Sequence, residues 1–232
     1  MSQETFNRIE KKYRLNEKEI ALIKKAMHPY MRLDTFGKYK IYNLYFDNEQ
    51  FSLIRNSLEK PTYKEKLRLR SYKIPKANDS VFLEIKKKYK KIVNKRREVS
   101  ALQSVNDYLK TGIIPNKDSI VLQEIDFMIK RYQLKPVIYL AYNREAYSGK
   151  ERKDFRITFD KHIRSRDYDV LLEKGDYGEE LLDKDEAIME VKCFGAYPSW
   201  FITILNENHI YPISFSKIGE VYKKKMERNV NV

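Results

Sequence analysis

The chain is poor in the residues from which many active sites are built. Its 232 residues include one cysteine, Cys193, so no internal disulfide can form, and a lone thiol suits a reducing compartment and a packed core position. Only three histidines occur, His28, His162 and His209, and none stands with Cys or His at zinc-site spacing. A covalent phosphohistidine route therefore has little support. Glycine is scarce, at seven residues, and there is no G-x-x-x-x-G-K-[ST] loop, which argues against a P-loop kinase. No run approaches the ~20 apolar residues of a membrane helix. The first residues carry no apolar stretch, so no signal peptide and a cytoplasmic location are expected. Without repeats or low-complexity linkers, a single domain over 1–232 is the expectation from length.

What the chain has in excess is positive charge. Lys plus Arg number 47 against 33 Asp plus Glu, a formal charge of +14. Such a balance points to a polyanionic partner: nucleic acid, a phosphorylated ligand or an anionic membrane. The charge is patterned. In Tyr63–Lys73, Lys64, Lys66, Arg68 and Arg70 alternate with Glu65, Leu67, Leu69 and Ser71. A strand sends alternate side chains to opposite faces, so these cations share one face. Similar alternation recurs at Arg8, Glu10 and Lys12; at Phe82, Glu84, Lys86 and Lys88; and at Lys95 and Arg97. It recurs again at Tyr142 and Arg144; at Asp154, Arg156, Thr158 and Asp160; and at Glu190 and Lys192. The stretch Lys38–Asp47 is strand-like by composition, but its inward parity is not evident. One such strand is an ordinary solvated face. The recurrence suggests a curled sheet whose charged face lines an interior.

Helical segments separate the strands. Asn16–Met27 opens near a capping-box pattern and Ser100–Lys110 opens with S-A-L-Q. Asn48–Leu58, Asp118–Leu134, Pro198–Leu205 and Ser214–Met226 are the others, the last with Ser214 as expected cap. The cations on the proposed inner parity are Arg8, Lys12, Lys66, Arg68, Arg70, Lys86, Lys88, Lys95, Arg97, Arg144, Arg156 and Lys192. Arg offers a planar fork and Lys a point charge, and consecutive phosphates require many such donors. Glu10, Glu84 and Glu190 lie on the same parity. Each either holds Mg²⁺ or Mn²⁺ beside phosphate or neutralises a neighbouring cation, and Glu190 is the strongest candidate ligand. Ser216 and Lys217 fall in the first turn of the last helix, where free amides attract anions.

Several segments together resemble a known family. RIEKKY (8–13), YNLYFDN (42–48), KLRLRSY (66–72), VFLEIK (81–86) and KRR (95–97) come first. YNREAY (142–147), RITFD (156–160), IMEVK (188–192), PSW (198–200) and FSK (215–217) follow in the same order. As a set they resemble the VTC domain of the vacuolar transporter chaperone complex, the polyphosphate polymerase branch of the triphosphate tunnel metalloenzyme superfamily. The resemblance implies an α+β fold, an eight-stranded antiparallel β-tunnel with helices outside. It implies transfer of the ATP γ-phosphate onto a growing polyphosphate chain with Mn²⁺ or Mg²⁺.

By motif position it carries phosphate binding onto Lys12, Arg68, Arg70, Lys86, Lys95, Arg144, Arg156 and Lys217, and metal binding onto Glu190. Tyr142 and Ser216 fall on tunnel-lining positions. Many tunnel enzymes begin E-x-E-x-K, whereas Arg8 stands at the first of those positions here. That departure weakens thiamine triphosphatase and adenylate cyclase readings. The expected partners are ATP and polyphosphate, with no nucleic acid, no intrinsic membrane span and a separate membrane protein for export. The alternatives are a metal-dependent triphosphatase of the same fold and a non-catalytic polyphosphate or single-strand nucleic-acid binder.

Overall fold

The computed structural model describes residues 8–90 and 92–230, with the side chains of Arg8, Asn229 and Val230 outside that description. One antiparallel sheet contains β1 (Arg8–Leu15), β2 (Met31–Asp47), β3 (Tyr63–Ser71), β4 (Ser80–Tyr89) and β5 (Ile92–Ala101). It also contains β6 (Lys135–Gly149), β7 (Arg156–Arg166), the two-residue β8 (Glu179–Glu180) and β9 (Ala187–Phe194). The strand order is β1-β9-β7-β6-β2-β3-β4-β5, with β8 paired to β7. The helices are α1 (Glu17–Met27), α2 (Ser52–Leu58), α3 (Leu102–Thr111), α4 (Ile120–Tyr132), α5 (Ser199–Glu207) and α6 (Lys217–Val230). The fold is therefore α+β. Every expected strand is present, and β8 is an addition.

Two compact units are distinguishable, one of residues 1–40, 142–163 and 182–215, the other of 41–141, 164–181 and 216–232. The strands β2, β6 and β7 run through both. Each unit has its own core. In the first, Tyr13, Leu15, Ile157, Phe159, Met189, Val191 and Cys193 pack against Ile20, Ile23 and Met27 of α1 and Phe201 and Leu205 of α5. In the second, Tyr42, Leu44, Phe46, Leu67, Leu69, Val81, Leu83 and Ile85 pack against Leu102 and Val105 of α3 and Leu122, Ile125 and Met128 of α4. The apolar parity is thus buried under helices, and the opposite parity is the charged one. A one-residue slip in any of these strands would exchange the two faces, so the alternation fixes register.

Helix starts follow local chemistry, with two corrections. Asn16 and Glu19 form the expected capping box of α1, and Ser119 caps α4. Ser100 does not cap α3. β5 runs to Ala101, and the first α3 amides instead find backbone carbonyls: Leu102 N donates to Asp79 O at 3.0 Å and Gln103 N to Ala77 O at 2.8 Å. Ser214 does not cap α6 either. Ile213 N donates to Lys12 O at 2.7 Å, which ties that segment to β1 and delays the helix. Ser216 takes the role, its hydroxyl accepting from Gly219 N at 3.3 Å and its carbonyl from Glu220 N at 2.8 Å. Gly219 permits the close approach of α6 to α2, since a Cβ there would fall 2.6 Å from Leu58 Cδ2.

Candidate functional site: two charged sheet faces

The face of β3, β4 and β5 turned away from the second core is built of cross-strand rows. Register aligns Lys64 with Lys88, Lys66 with Lys86 and Lys95, Arg68 with Glu84 and Arg97, and Arg70 with Phe82. On the other side of β3, β2 contributes Tyr45 opposite Arg68 and Asn43 opposite Arg70. Like charges directly opposite each other across strands are destabilising. The lysine rows therefore hold repulsion that a bound polyanion would relieve.

Glu84 organises the middle of this face. It is 1% exposed, and both oxygens are engaged. Arg68 Nε donates to Oε2 at 2.7 Å, Arg97 Nε to Oε1 at 2.8 Å, and Lys95 Nζ lies 2.8 Å from Oε1. Arg70 Nε stands 3.8 Å from Oε2. Burial alone would raise the Glu84 carboxyl, but Arg68, Arg70, Lys95 and Arg97 outweigh it and bring the pKa down to about 2. Four cations share one carboxylate, so the face keeps a strong positive excess.

The aromatic and amide neighbours hold the guanidinium groups in place. Asn43 Nδ2 donates to Leu140 O at 3.0 Å, which leaves its Oδ1 to accept from Arg70 Nε at 3.0 Å. Arg97 stacks on Phe82, 4.7 Å from the ring centroid. Arg68 reaches the Tyr45 hydroxyl at 3.4 Å. Burial pushes the Tyr45 phenol up, yet the fields of Arg68, Lys66 and Arg70 and the Arg68 hydrogen bond pull it down to about 8. Tyr72 is lowered likewise: burial opposes, but Arg70 and Arg97 prevail. Burial and then Lys88, Lys86 and Lys60 lower the Lys64 ammonium. Asn43, Tyr45 and Tyr72 are absent from the sequence-derived set. The β2 parity that would reveal the first two becomes readable only from the buried alternation of Tyr42, Leu44 and Phe46.

In the other unit the corresponding face is mixed in sign. Register across β1, β9 and β7 aligns Glu10 with Lys192 and Arg156, and Lys12 with Glu190 and Thr158. Lys192 pairs with Glu190 and lies 3.8 Å from Glu10. Lys12 Nζ donates to Phe215 O at 2.8 Å. Arg156 pairs with Asp34. Arg144 forks onto the fully buried Asp160 at 2.6 and 2.8 Å and stacks over Tyr142 at 5.2 Å. Burial works against the Arg144 charge, but Asp160 and Tyr142 outweigh it and hold the group well above its ordinary value. The Thr158 hydroxyl is buried without a hydrogen-bond partner.

The sequence-derived residues thus divide between units. Lys66, Arg68, Arg70, Glu84, Lys86, Lys95 and Arg97 come together on one face, with Ser216 and Lys217 at the start of α6 in the same unit. Glu10, Lys12, Tyr142, Arg144, Arg156, Glu190 and Lys192 belong to the other unit, as does the backbone of Arg8, whose side chain lies outside the described residues. Among the described residues no group of three or more His, Cys, Asp or Glu is placed to hold a metal ion. Glu84, with its oxygens taken by cations, stands as a charge partner. Glu10 and Glu190 share a face and one ammonium, a donor set that suits a hard cation completed by phosphate oxygens.

The sequence profile of the VTC domain matches residues 7–224. The chain belongs to the VTC domain family. No curated protein matches the sequence significantly. Among solved structures, this VTC domain is similar to a Bacillus halodurans protein described as a putative adenylate cyclase. The TM-score is 0.55 at 16% identity, covering 90% of this chain and 95% of that one. The PH1819 protein of Pyrococcus horikoshii OT3 aligns with a TM-score of 0.47 at 13% identity over 94% of this chain and 99% of that one. At these identities the first likeness shows a shared fold. Among the described residues no helix is long and apolar enough to cross a membrane.

Proposed function

We propose that this VTC domain is an ATP-dependent polyphosphate polymerase, moving the γ-phosphate of ATP onto the end of a polyphosphate chain. The observation that carries the reading is the face of β3–β5, where Lys66, Lys86 and Lys95 stand in one row and Arg68 and Arg97 flank the only carboxylate in the next. Cations placed opposite cations make sense when their ligand is a string of phosphates. The family supports a triphosphate-handling enzyme.

In this proposal Arg68, Arg70, Lys86, Lys95 and Arg97 bind the non-bridging oxygens and stabilise the charge that spreads over them in the transition state. The terminal oxygen of the acceptor chain attacks the γ-phosphorus, the bond to the β-phosphate oxygen breaks, and ADP leaves. Glu84 fixes the guanidinium groups before substrate arrives, so little reorganisation is needed during reaction. Glu190 and Glu10 would hold Mn²⁺ or Mg²⁺, which supplies further charge neutralisation for phosphoryl oxygens. Ser216 and Lys217 complete the proposed phosphate-binding set of that unit; in the other unit Lys12, Arg144, Arg156 and Lys192 are the proposed phosphate contacts, with Tyr142 beneath Arg144. Incubating the purified protein with ATP and Mn²⁺ and resolving the products on a gel tests the reading. A ladder of polyphosphate is expected; orthophosphate alone indicates a triphosphatase, and unchanged ATP overturns the enzymatic reading in favour of a binder.

A further inference from the structure

The end of the β4–β5 hairpin carries apolar side chains that phosphate handling does not use. On the core side of the sheet, at the end where Tyr63 lies near Glu124 and Tyr132 of α4, register places Tyr63, Tyr89 and Ile92 in a single row across β3, β4 and β5. They project largely into solvent: Ile92 is 73% exposed, Tyr89 52% and Tyr63 40%. Val93 is half exposed on the opposite face, beside Lys88. Cations surround this apolar end. Lys64 stands opposite Lys88, Lys90 lies 5.5 Å from the Tyr89 ring centroid, and Lys60 is close enough to depress Lys64. Among the described residues, Lys60, Lys88 and Lys90 have no carboxylate partner.

Exposed Ile and Val ringed by uncompensated lysines call for a partner that is both hydrocarbon and anionic. A soluble polyphosphate would satisfy the lysines and leave Ile92 and Val93 in water. Nucleic-acid bases could stack on Tyr63 and Tyr89 but would find nothing complementary in the aliphatic pair. A bilayer with acidic headgroups answers both demands. Tyrosines favour the water–lipid boundary, aliphatic side chains enter the acyl region, and lysines extend their stems to reach headgroup phosphates.

We propose that the β4–β5 hairpin end, with Tyr63, Tyr89 and Ile92 as the inserted row, Val93 flanking it from the opposite face, and Lys60, Lys64, Lys88 and Lys90 as headgroup contacts, docks this domain directly on an anionic lipid surface. The docking does not depend on the polymerase reading. A separate membrane protein is then not required to bring the domain to a membrane.

Vesicle flotation of the full chain tests it, with phosphatidylcholine alone and phosphatidylcholine mixed with phosphatidylglycerol. Flotation with the mixed vesicles only is expected. The double substitution Tyr89→Ser/Ile92→Asp should weaken partitioning about tenfold or more. Lys60→Ala should cost about fivefold, as one cation lost at the surface. These side chains are exposed, so unchanged thermal midpoints serve as the folding control. Arg68→Ala/Arg70→Ala should float like wild type, which separates this proposal from the phosphate site. Three outcomes overturn it. One is the absence of flotation with mixed vesicles. Another is equal flotation with both vesicle types. The third is binding that survives Tyr89→Ser/Ile92→Asp and is competed away by tripolyphosphate, the behaviour of a plain polyanion site.

Discussion

Replacing Glu84 by Gln preserves shape and removes the one negative charge held by Arg68, Lys95 and Arg97. The carboxyl titrates at about 2 in the fold, against an ordinary 4.5. At 1.36 kcal/mol per pH unit, that difference corresponds to roughly 3 kcal/mol of stabilisation. Because the folded value is lowered, the contribution is complete above pH 4.5 and is lost as pH falls through about 2. Glu84→Gln should therefore melt about 6–12 °C below wild type at neutral pH, given the usual conversion for a domain of this size. Wild type should lose that advantage on acidification. The cations left without their carboxylate should then value a ligand more. Tripolyphosphate should raise the midpoint of Glu84→Gln by more degrees than it raises wild type. Thermal melts followed by circular dichroism, with and without tripolyphosphate, supply both numbers. A variant that melts with wild type, or gains less from tripolyphosphate, would refute the idea that Glu84 holds these cations for a phosphate ligand.

Other outcomes follow from the same geometry. Arg68→Ala and Arg70→Ala should each weaken tripolyphosphate binding about tenfold or more, since charge-assisted hydrogen bonds contribute ~1.5–3 kcal/mol; calorimetric titration reads this. The Tyr45 phenol should ionise near pH 8, visible as an absorbance change at long ultraviolet wavelength that Tyr45→Phe removes, and saturating tripolyphosphate should move that titration upward by neutralising Arg68 and Lys66. Its folded pKa is lowered, so the group adds stability above pH 10 that is lost as pH falls through about 8. Asp160→Asn should destabilise the fold by roughly 3–5 kcal/mol by stranding the Arg144 charge, measured by denaturant titration. Glu190→Gln should abolish the metal dependence of turnover while leaving metal-free tripolyphosphate binding in place; an unchanged metal titration would make Glu190 only the partner of Lys192.

Much of this was legible in the alternation. Leu67 and Leu69 against Arg68 and Arg70, or Ile157 and Phe159 against Arg156 and Asp160, announce both a strand and the identity of its two faces, because a helix-covered core tolerates only one parity. The motif set likewise placed the chain in its family. What the sequence withheld is pairing across the sheet. Glu84 is ambiguous on its own strand, and only register brings Arg68 and Arg97 to either side of it. The early half of β2 escaped because Arg32–Phe36 is largely exposed and lacks alternation. The helices begin at Leu102 and Lys217, later than their local capping signals indicate, for a shared reason. Tertiary hydrogen bonds, to the carbonyls of Asp79 and Ala77 in one case and from Ile213 N to Lys12 O in the other, override the local capping signal.

In the proposed function, condensed phosphate is built on the Arg68–Arg97 face. The most direct measurement follows ATP and Mn²⁺ by ³¹P NMR with wild type and with Arg68→Ala/Arg70→Ala. Wild type should consume the γ-phosphate and accumulate internal phosphoanhydride signal, while the double variant, folded by its melt, should do neither. Polymer formation by the double variant at the wild-type rate, or only orthophosphate from wild type, would contradict it.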